Sequence, residues 1–363
     1  MAKLPDNVAD LKTVAAIYAA HEKRNEQRQS RRLGASVLGK ACERAVWYGF
    51  RWAYRETFDG RMLRLFETGH LAEPRFADEL RSIGCEVHLV DPDTGNQFEF
   101  TEIGGHFVDK IDGMVLGLPD APKSWHVCEF KTHNAKSFQG LASNGLRVAK
   151  PEHYVQLMIG MHLSGVDRGL YLASNKDTDE LYGERIKYNK AEGENWLAKA
   201  VRLIQAESPP PRIGDDAGKF PCNFCSYREV CHGTTPPGPG VKACVNCRTC
   251  CHATPVVGDT QLGIWRCEKH GKNLSEAEQA KACDDHLFIP DFITFATVED
   301  AGEDWIRYRS ADGPDWVAAN DPDGEAYRSV ELTVLPAPLV GAGEVEMVKS
   351  TLGGTVVNHY PEI

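Results

Sequence analysis

The sequence predicts a mixed α/β protein with one central sheet flanked by helices, followed by a small Cys/His metal-binding module and a short C-terminal region that is β-rich or disordered. The first reason is the order of elements, helices followed by strands, a helix and further strands, which is typical of a sheet with helices packed on it. The second is that nine of the 12 cysteines fall between residues 222 and 283, several of them two residues apart, a spacing that favours metal binding.

Changes in composition divide the 363 residues into four regions. Residues 1–30 are expected to form an N-terminal helical arm, residues 31–235 the α/β core, residues 236–290 the Cys/His module and residues 291–363 an acidic C-terminal region. The Pro/Gly-rich linker "HGTTPPGPGVK" leads into the module. The net charge of −11 arises almost entirely in the last region, so the rest of the chain is nearly neutral and can still carry a basic groove.

No targeting or membrane segment is recognisable in the chain. It contains no run of about 18 apolar residues, so no part is expected to span a membrane. The first residues, "MAKLPDNVAD", lack the apolar segment of a secretory signal. We therefore expect a cytoplasmic protein, in which clustered cysteines bind metals rather than form disulfides.

Hydrophobic periodicity and turn residues predict the elements in order. Helices are expected over residues 7–29, 36–55, 62–83, 151–165 and 191–207; the fourth begins at a proline and ends at a glycine, and "SPPPR" ends the last. Strands are expected within residues 86–117, around the turn "DPDTGN", and over residues 125–132, 168–176 and 181–189.

Two carboxylates and a lysine occur in segments that otherwise read as buried strands. Because strand side chains alternate, Glu129 and Lys131 project to one face, while Cys128 and Phe130 project to the other. Asp112 lies near the end of the preceding strand, so antiparallel pairing would bring it close to Glu129. A divalent cation relieves the repulsion between two such carboxylates, and oxygen ligands suit Mg²⁺ or Mn²⁺. A lysine beside that ion can act on a water and stabilise a developing phosphorane, which is the chemistry of phosphodiester hydrolysis.

In this order the residues resemble the PD-(D/E)xK nuclease superfamily, in its RecB-like exonuclease branch. That branch has an upstream histidine on a helix, for which "ETGHLAEPRF" supplies His70, then an Asp-Gly strand and a Glu-x-Lys strand, here "CEFKT". The resemblance implies a restriction-endonuclease-like core. It also implies that the metal ligands are His70, Asp112, Glu129 and the backbone carbonyl of Phe130, and that Lys131 acts on the nucleophilic water.

The branch also has a following helix with a glutamine, usually Gln-x-x-x-Tyr. Here "HYVQLMIGM" supplies Gln156, which by resemblance orients the lysine or contacts DNA, but Gly160 stands where the tyrosine would be. Tyr154, from the previous turn, is the candidate substitute for that DNA contact. Basic and aromatic residues in "YGFRWAYRETFDGRMLR", Arg51 and Arg55 among them, could line a single-strand channel; the alternative is an ordinary amphipathic helix.

The first cysteine set is "PCNFCSYREVCHG", which holds Cys222, Cys225 and Cys231, and Cys42 far upstream is the candidate fourth ligand. This split layout is similar to the iron–sulfur branch of the RecB-like nucleases, which includes CRISPR-associated and AddB-type nuclease domains. The resemblance implies a [4Fe–4S] cluster with a mainly structural role. Four thiolates would satisfy zinc equally well, and a buried free thiol is the alternative for Cys42.

The second set holds nine potential ligands between residues 244 and 286, so a metal is expected there, most of all Zn²⁺. One possible ligand set is Cys244, Cys247, Cys267 and His270. The set that we prefer is Cys247, Cys250, Cys267 and Cys283, closed by a helix over residues 274–283, with His286 as a further candidate. The turn "GDTQLG" predicts a hairpin within the module, which could bind DNA or a partner or be purely structural.

Three hypotheses for the function follow. The first is a Mg²⁺- or Mn²⁺-dependent DNA exonuclease that acts on linear or single-stranded ends in recombination, repair or phage DNA processing. The second is an endonuclease or nickase with the same centre, and the third is a catalytically inactive nucleic-acid-binding protein. The chain contains no G-x-x-x-x-G-K-[ST] motif, so a helicase would be a partner rather than part of it, as would a single-strand annealing protein.

Overall fold

The structure is a computed structural model that describes residues 12–25, 29–235, 238–310, 313–320 and 326–352. Parts of the predicted helix over residues 7–29, namely residues 7–11 and 26–28, therefore lie outside the described residues, as do residues 236–237 of the linker. No helix in the described part of the chain is long and apolar enough to cross a membrane.

Twelve helices are present in the described residues. In chain order they are α1 (Lys12–Arg24), α2 (Ala35–Leu38), α3 (Glu43–Phe50), α4 (Gly60–Ser82), α5 (Ala135–Asn144), α6 (Leu146–Ala149), α7 (Pro151–Ser164), α8 (Lys190–Gln205), α9 (Arg228–His232), α10 (Glu276–Gln279), α11 (Ser329–Leu332) and α12 (Gly343–Leu352).

The strands of the same residues form four sheets. They are β1 (Leu33–Gly34), β2 (Glu86–His88), β3 (Glu99–Glu102), β4 (Phe107–Lys110), β5 (Gly113–Leu116), β6 (His126–His133), β7 (Arg168–Asn175), β8 (Leu181–Lys187), β9 (Ala253–Pro255), β10 (Trp265–Cys267), β11 (Lys272–Leu274), β12 (Ala296–Ala301), β13 (Trp305–Ser310) and β14 (Trp316–Ala319). The largest sheet has the order β2-β5-β6-β7-β8, and three smaller sheets have the orders β1-β4-β3, β11-β10-β9 and β12-β13-β14.

The chain forms two compact units, and it passes between them more than once. The first unit contains residues 1–30, 56–100 and 109–197, and the second contains residues 31–55, 101–108 and 198–363. The sequence-based boundary near residue 235 therefore does not coincide with a boundary between these units, because the Cys/His module belongs to the same unit as residues 31–55 and the C-terminal region.

The first unit is built on the five-stranded sheet. Strands β5 and β6 are antiparallel, with Gly113 opposite Cys128, whereas β6 and β7 are parallel and are joined through α5, α6 and α7. One face of the sheet carries Cys128 and Phe130 and packs against α4, where Phe76 stacks on Phe130 with ring centroids 5.2 Å apart. The other face is covered by α7. A central mixed sheet is thus flanked by helices, which confirms the predicted fold class and is consistent with a restriction-endonuclease-like core.

The second unit has a core of its own, which is rich in aromatic residues. Its fully buried side chains include those of Trp47, Phe288, Phe292, Tyr308 and Tyr327. The small sheet of β9, β10 and β11 contains the predicted hairpin, since Trp265 pairs with Pro255 across the "GDTQLG" segment. The expected β-rich C-terminal region is present as the antiparallel sheet of β12, β13 and β14, followed by the two helices α11 and α12.

The prediction of one helix over residues 36–55 was wrong. Helix α2 ends at Leu38 and α3 begins at Glu43, with Cys42 directly before it. Within the break, Lys199 Nζ donates hydrogen bonds to the carbonyls of Leu38, at 2.9 Å, and Lys40, at 3.3 Å. The ammonium group therefore satisfies carbonyl groups that a continuous helix would have used internally. The helix expected over residues 274–283 is shorter than predicted, since α10 ends at Gln279.

Candidate active site

The structure brings together the two carboxylates and the lysine that the sequence singles out. Lys131 Nζ lies 2.5 Å from Glu129 Oε1, 3.1 Å from the carbonyl oxygen of Phe130 and 3.5 Å from Asp112 Oδ2. The backbone N–H of Phe130 also donates to Asp112 Oδ2 at 2.7 Å, which ties the start of β5 to β6. The ammonium group is therefore held by three of the oxygen atoms that the resemblance implies as ligands of a divalent cation.

For both Glu129 and Lys131, burial and the oppositely charged neighbours shift the pKa in opposite directions. Burial raises the pKa of Glu129 to about 8, although Lys131 beside it favours the ionised carboxylate. Burial alone would lower the pKa of Lys131, but Glu129 and Asp112 raise it above its usual value. The Glu129–Lys131 contact is an ion pair by distance, yet Oε1 of the buried carboxylate receives no well-directed hydrogen bond. A buried carboxylate in that situation gains most from a second cation.

The donor atoms fit Mg²⁺ or Mn²⁺. Asp112 and Glu129 supply carboxylate oxygens and Phe130 supplies a backbone carbonyl, all of them hard ligands that these ions prefer. The side chain of Asp112 is 10% exposed and that of Lys131 is 28% exposed, so the site opens on the side of these two residues, whereas Glu129 is buried.

The structure explains why a glycine, Gly113, follows Asp112. A Cβ atom at Gly113 would lie 2.7 Å from the carbonyl oxygen of His88 on the neighbouring strand β2. A larger residue would push β5 away from β2 and move Asp112 with it. The Asp-Gly pair therefore reflects the tight pairing that holds this carboxylate in place.

Helix α4 carries the predicted ligand His70 together with Glu73, one turn further along the helix. The side chain of His70 is 78% exposed, and its contact is with Glu73, at 3.4 Å between Nδ1 and Oε1. Burial raises the pKa of Glu73, and the charge of Asp112 raises it further, while His70 and Lys131 oppose the shift. Glu73 therefore faces the same charges as the central carboxylates, and its spacing of three residues from His70 on a helix was the signal for it in the sequence.

Helix α7 runs across the face of β6 that carries the site. His153 in its first turn reaches the hydroxyl of Tyr171, and a Cβ atom at Gly160 would meet Val127 of β6 at 3.3 Å. Gln156 lies between these two points along the helix and is half-buried. Tyr154 does not reach the site, because it is buried and its hydroxyl donates to Glu192 at 3.0 Å.

Sequence reasoning missed a second buried carboxyl group, that of Asp109. It is 1% exposed, and neither of its oxygens has a well-directed hydrogen-bond donor among the described residues. Burial raises its pKa to about 7, the backbone N–H of Lys110 opposes this, and Asp112 adds to it. Its signal in the sequence is alternation, because Asp109 occupies the same strand face as the buried Phe107 and Ile111.

The prediction that Arg51 contacts DNA was wrong. Its guanidinium is buried and donates to the carbonyls of Ala206, Arg248 and Ala253, at 3.0 to 3.3 Å. It also lies over the rings of Trp47 and Trp265. The segment around it is thus part of a core, whereas Arg55 a turn later is exposed.

The four cysteines of the first set border one cavity, with Arg44, Tyr48 and Arg212 among its other lining residues. Burial raises the pKa of Cys222 and of Cys225, and in both cases the neighbouring thiols, Cys42 and Cys231 among them, add to the shift. All four thiols thus lie around the same cavity. The structure therefore brings Cys42 next to a trio that is about 180 residues away in sequence.

The preferred ligands of the second set also border a single cavity. It is lined by Cys247, Cys250, Cys267 and Cys283, together with His252, His270, Asp285 and His286. Burial raises the pKa of Cys247 to about 12, and Cys250, Cys283 and Cys267 add to the shift. Cys244 is not among the lining residues. His286 has its Nε2 within 3.0 Å of the carbonyl of Asn246, so that nitrogen is already engaged.

No family model and no curated protein matches the chain. Among solved structures it is similar to SSO0001, at 14% identity and a TM-score of 0.37, over 61% of this chain and 98% of that one. It is also similar to LHK-Exo, an alkaline exonuclease from Laribacter hongkongensis, at 15% identity and a TM-score of 0.35, over 52% of this chain and 90% of that one. The complex of LHK-Exo with dAMP gives a TM-score of 0.34 over the same shares. Similarity this low says nothing about the activity of the present chain, which has to be read from its own residues.

Proposed function

We propose that the chain is a Mg²⁺- or Mn²⁺-dependent deoxyribonuclease that hydrolyses phosphodiester bonds, as an exonuclease on linear or single-stranded DNA ends. The observation that carries the proposal is the meeting of Asp112, Glu129 and the carbonyl of Phe130 around the ammonium group of Lys131. Three hard oxygen ligands beside a lysine are the groups that metal-assisted hydrolysis of a phosphodiester requires.

The residues would divide the work as follows. Asp112, Glu129 and the carbonyl of Phe130 would hold the ion, with Glu73 as a further carboxylate facing the same charges. The bound ion would polarise the phosphate and lower the pKa of a water. Because its two carboxylate neighbours raise its pKa, Lys131 acts as an ammonium group that orients the water and stabilises negative charge, rather than as a base.

The test uses end-labelled linear single- and double-stranded DNA together with covalently closed circles. Each substrate is incubated with Mn²⁺, Mg²⁺ or EDTA and with wild type, Lys131→Ala or the control Lys190→Ala, whose lysine is 79% exposed on α8. We expect metal-dependent loss of linear DNA only, abolished by Lys131→Ala and unchanged by Lys190→Ala. Cutting of circles would favour an endonuclease or nickase. Binding of DNA without any cutting would favour an inactive nucleic-acid-binding protein.

We propose that Cys42, Cys222, Cys225 and Cys231 hold a [4Fe–4S] cluster. Four thiols that line one cavity could hold zinc as well as this cluster. The layout of one upstream cysteine followed by a C-x₂-C-x₅-C trio, which is similar to that of the iron–sulfur branch, favours the cluster. Anaerobically purified protein should contain iron and acid-labile sulfide in equal amounts, and Cys42→Ser should lose both. Zinc in place of iron would reject the proposal.

For the second set we propose one structural Zn²⁺ held by Cys247, Cys250, Cys267 and Cys283, which line one cavity. Four thiolates complete a tetrahedral site and leave no open position. Metal analysis of the purified protein should show that Cys247→Ser loses the zinc, whereas the matched variant Cys244→Ser keeps it. Loss of zinc in Cys244→Ser would instead favour the other ligand set, with His270.

The same function implies partners and a place of action. DNA is the substrate, and Arg55, which like Arg61 and Arg64 of the same segment is exposed, would contact it. A helicase or a single-strand annealing protein would supply or use the single strand in recombination, repair or phage DNA processing. We propose that the protein acts on this DNA in the cytoplasm.

A further inference from the structure

A chain of hydrogen bonds lies next to the candidate site and has no role in the function proposed so far. His133 Nε2 lies 2.8 Å from the hydroxyl oxygen of Tyr171, and His153 Nδ1 lies 2.9 Å from the same oxygen. The other ring nitrogen of His133, Nδ1, lies 3.1 Å from Ser137 Oγ. The two imidazole rings are stacked, with centroids 5.8 Å apart. One tyrosine hydroxyl thus joins two histidines from different elements.

The chain extends the catalytic face of the sheet. Glu129, Lys131 and His133 alternate along β6 and project to the same face, and Tyr171 of β7 is paired with Glu129 in the parallel register. His133 is therefore the next side chain after Lys131 on that face. The hydrogen-bond network therefore starts at the strand position that directly follows Lys131 on this face.

Helix α7 is the second element that the network holds. His153 binds Tyr171 in the first turn of α7, while Gly160 packs against Val127 near the start of β6. Since residues 153, 156 or 157, and 160 share one face of a helix, Gln156 lies between two fixed points. The close packing at Gly160 fixes one of them, and the tyrosine hydroxyl fixes the other.

The hydrogen bonds are complete when the two rings are neutral. Burial lowers the pKa of His133 to about 4 and that of His153 to about 3, and the charges of Lys131 and Lys150 lower both further. Each neutral ring has one donor and one acceptor nitrogen. The buried hydroxyl of Tyr171 then donates to one ring and accepts from the other, which uses its capacity in full. Loss of that oxygen would leave both imidazoles without this partner.

We propose that His133, Tyr171 and His153 are positioning residues, which fix the N-terminal half of α7 and thereby hold Gln156 over Lys131. The proposal rests on the nuclease function proposed above. None of the three would touch the reacting atoms. Their effect would instead be on the alignment of Lys131 and the scissile phosphate, where a displacement of about 1 Å can lower a rate about 100-fold.

The same helix offers a matched control. In its last turn, His162 Nδ1 lies 2.7 Å from the hydroxyl oxygen of Tyr188, so a second histidine–tyrosine hydrogen bond holds the other end of α7. Tyr188→Phe and Tyr171→Phe each remove one hydroxyl group and keep the ring. A role in anchoring the helix in general predicts similar losses of activity in both, whereas a positioning role predicts a loss in Tyr171→Phe alone.

The experiment measures kcat and KM on linear DNA with saturating Mn²⁺, for wild type and both phenylalanine variants. We expect kcat to fall roughly 10- to 100-fold in Tyr171→Phe with KM within about twofold, and both parameters to be unchanged in Tyr188→Phe. His153→Gln, which can still hydrogen-bond to the tyrosine, should recover most of the activity that His153→Ala loses. A kcat within twofold of wild type in Tyr171→Phe, or equal losses in the two variants, would overturn the proposal.

A second measurement separates this proposal from the nuclease function. Amide hydrogen exchange should accelerate in residues 151–157 of Tyr171→Phe and not in those of Tyr188→Phe. Wild type that cuts no DNA would reject the nuclease function, while the exchange result would still decide whether the network holds this part of α7. Unchanged exchange in residues 151–157 of Tyr171→Phe would reject the network itself.

Discussion

Gly160 is the residue that sets how closely helix α7 approaches the sheet. A Cβ atom at this position would lie 2.8 Å from Ile111 Cγ2 and 3.1 Å from Asp109 Oδ2. These contacts are shorter than van der Waals packing allows, so the sheet or the helix would have to move. A phenol ring, which the resembling sequence pattern has at this position, would have no space here.

Gly160→Ala should therefore lower the free energy of unfolding by about 1–3 kcal/mol, the usual effect of overpacking a core. The matched variant is Gly140→Ala on helix α5, where an added Cβ would have no neighbour within 4 Å. That substitution should stabilise the protein by about 0.5–1 kcal/mol, because alanine favours the helix. Urea unfolding of both variants checks the pair of values. A stabilising Gly160→Ala would show that the sheet has room for a larger residue.

Arg51 shows how a single charged side chain can stabilise a core. Three carbonyl groups and two indole rings surround its guanidinium, and burial lowers its pKa to about 10. Arg51→Ala should lower the free energy of unfolding by about 3 kcal/mol, because the buried carbonyls lose a charged donor. Its affinity for DNA, measured on the folded variant, should match that of wild type.

Arg55→Ala is the comparison for that variant. Since Arg55 is exposed, its removal should change the free energy of unfolding by less than about 0.5 kcal/mol. If Arg55 contacts phosphate, the salt dependence of DNA binding should become less steep. Weaker DNA binding by Arg51→Ala at unchanged stability would mean that its guanidinium leaves the core to reach the substrate.

At the scale of elements, the sequence was most informative where structure is set by near neighbours. The antiparallel pairing of β5 and β6 follows from alternation and a short loop, and it was sufficient to place Asp112 beside Glu129 and Lys131. By contrast, the break between α2 and α3 is held by Lys199, about 160 residues away. No local pattern could have indicated that interaction.

In the candidate site, too, the sequence indicated the residues on neighbouring strands and missed those whose positions depend on distant contacts. The residues found from the sequence lie on adjacent strands. Glu73, whose pKa responds to the charges of Asp112 and Lys131, lies instead on α4, which packs on the sheet through Phe76 and Phe130. Asp109 was missed because an acidic residue on an apolar strand face looks like an exception to the pattern. Both residues were missed because contacts between elements that are distant in sequence determine their positions. Hydrophobic periodicity carries no information about such contacts.

The hydrogen bonds between β6, β7 and α7 predict a dependence on pH. The pKa of His133 is about 4 in the folded protein, below its ordinary value of 6.5, so the unfolded chain binds the proton more readily. Stability should therefore fall as the pH decreases from 6.5 towards 4, by at most on the order of 3 kcal/mol for this group.

His133→Gln removes that titration and keeps a side chain that can hydrogen-bond. Urea unfolding in EDTA between pH 7.5 and 4.5 should thus give a shallower decrease of stability for the variant than for wild type. The difference between the two curves isolates His133 from the carboxylates that titrate in the same range. Parallel curves would mean that the ring is protonated in the folded protein as easily as in the unfolded chain.

At the scale of the whole molecule, the proposed metal-binding cysteines and the candidate active site belong to different units. All eight proposed metal-binding cysteines lie in the second unit, and the site around Lys131 lies in the first. Each unit has its own buried cluster of apolar side chains. The chain nevertheless passes from one unit to the other within β3, β4 and α8.

Removal of the metals should therefore affect the two units differently. Ligand binding contributes directly to folding when thiolates from distant segments share a metal, as Cys42 and Cys222 are proposed to do. After treatment with a chelator and a reductant, amide exchange should accelerate in α3, β9, β10 and β11, while β6 and β7 keep their protection, since the core around Phe130 contains none of the proposed ligands. Equal loss of protection in β6 and β7 would show instead that the whole chain unfolds as one cooperative unit, and that the cysteines support the catalytic sheet as well as their own unit.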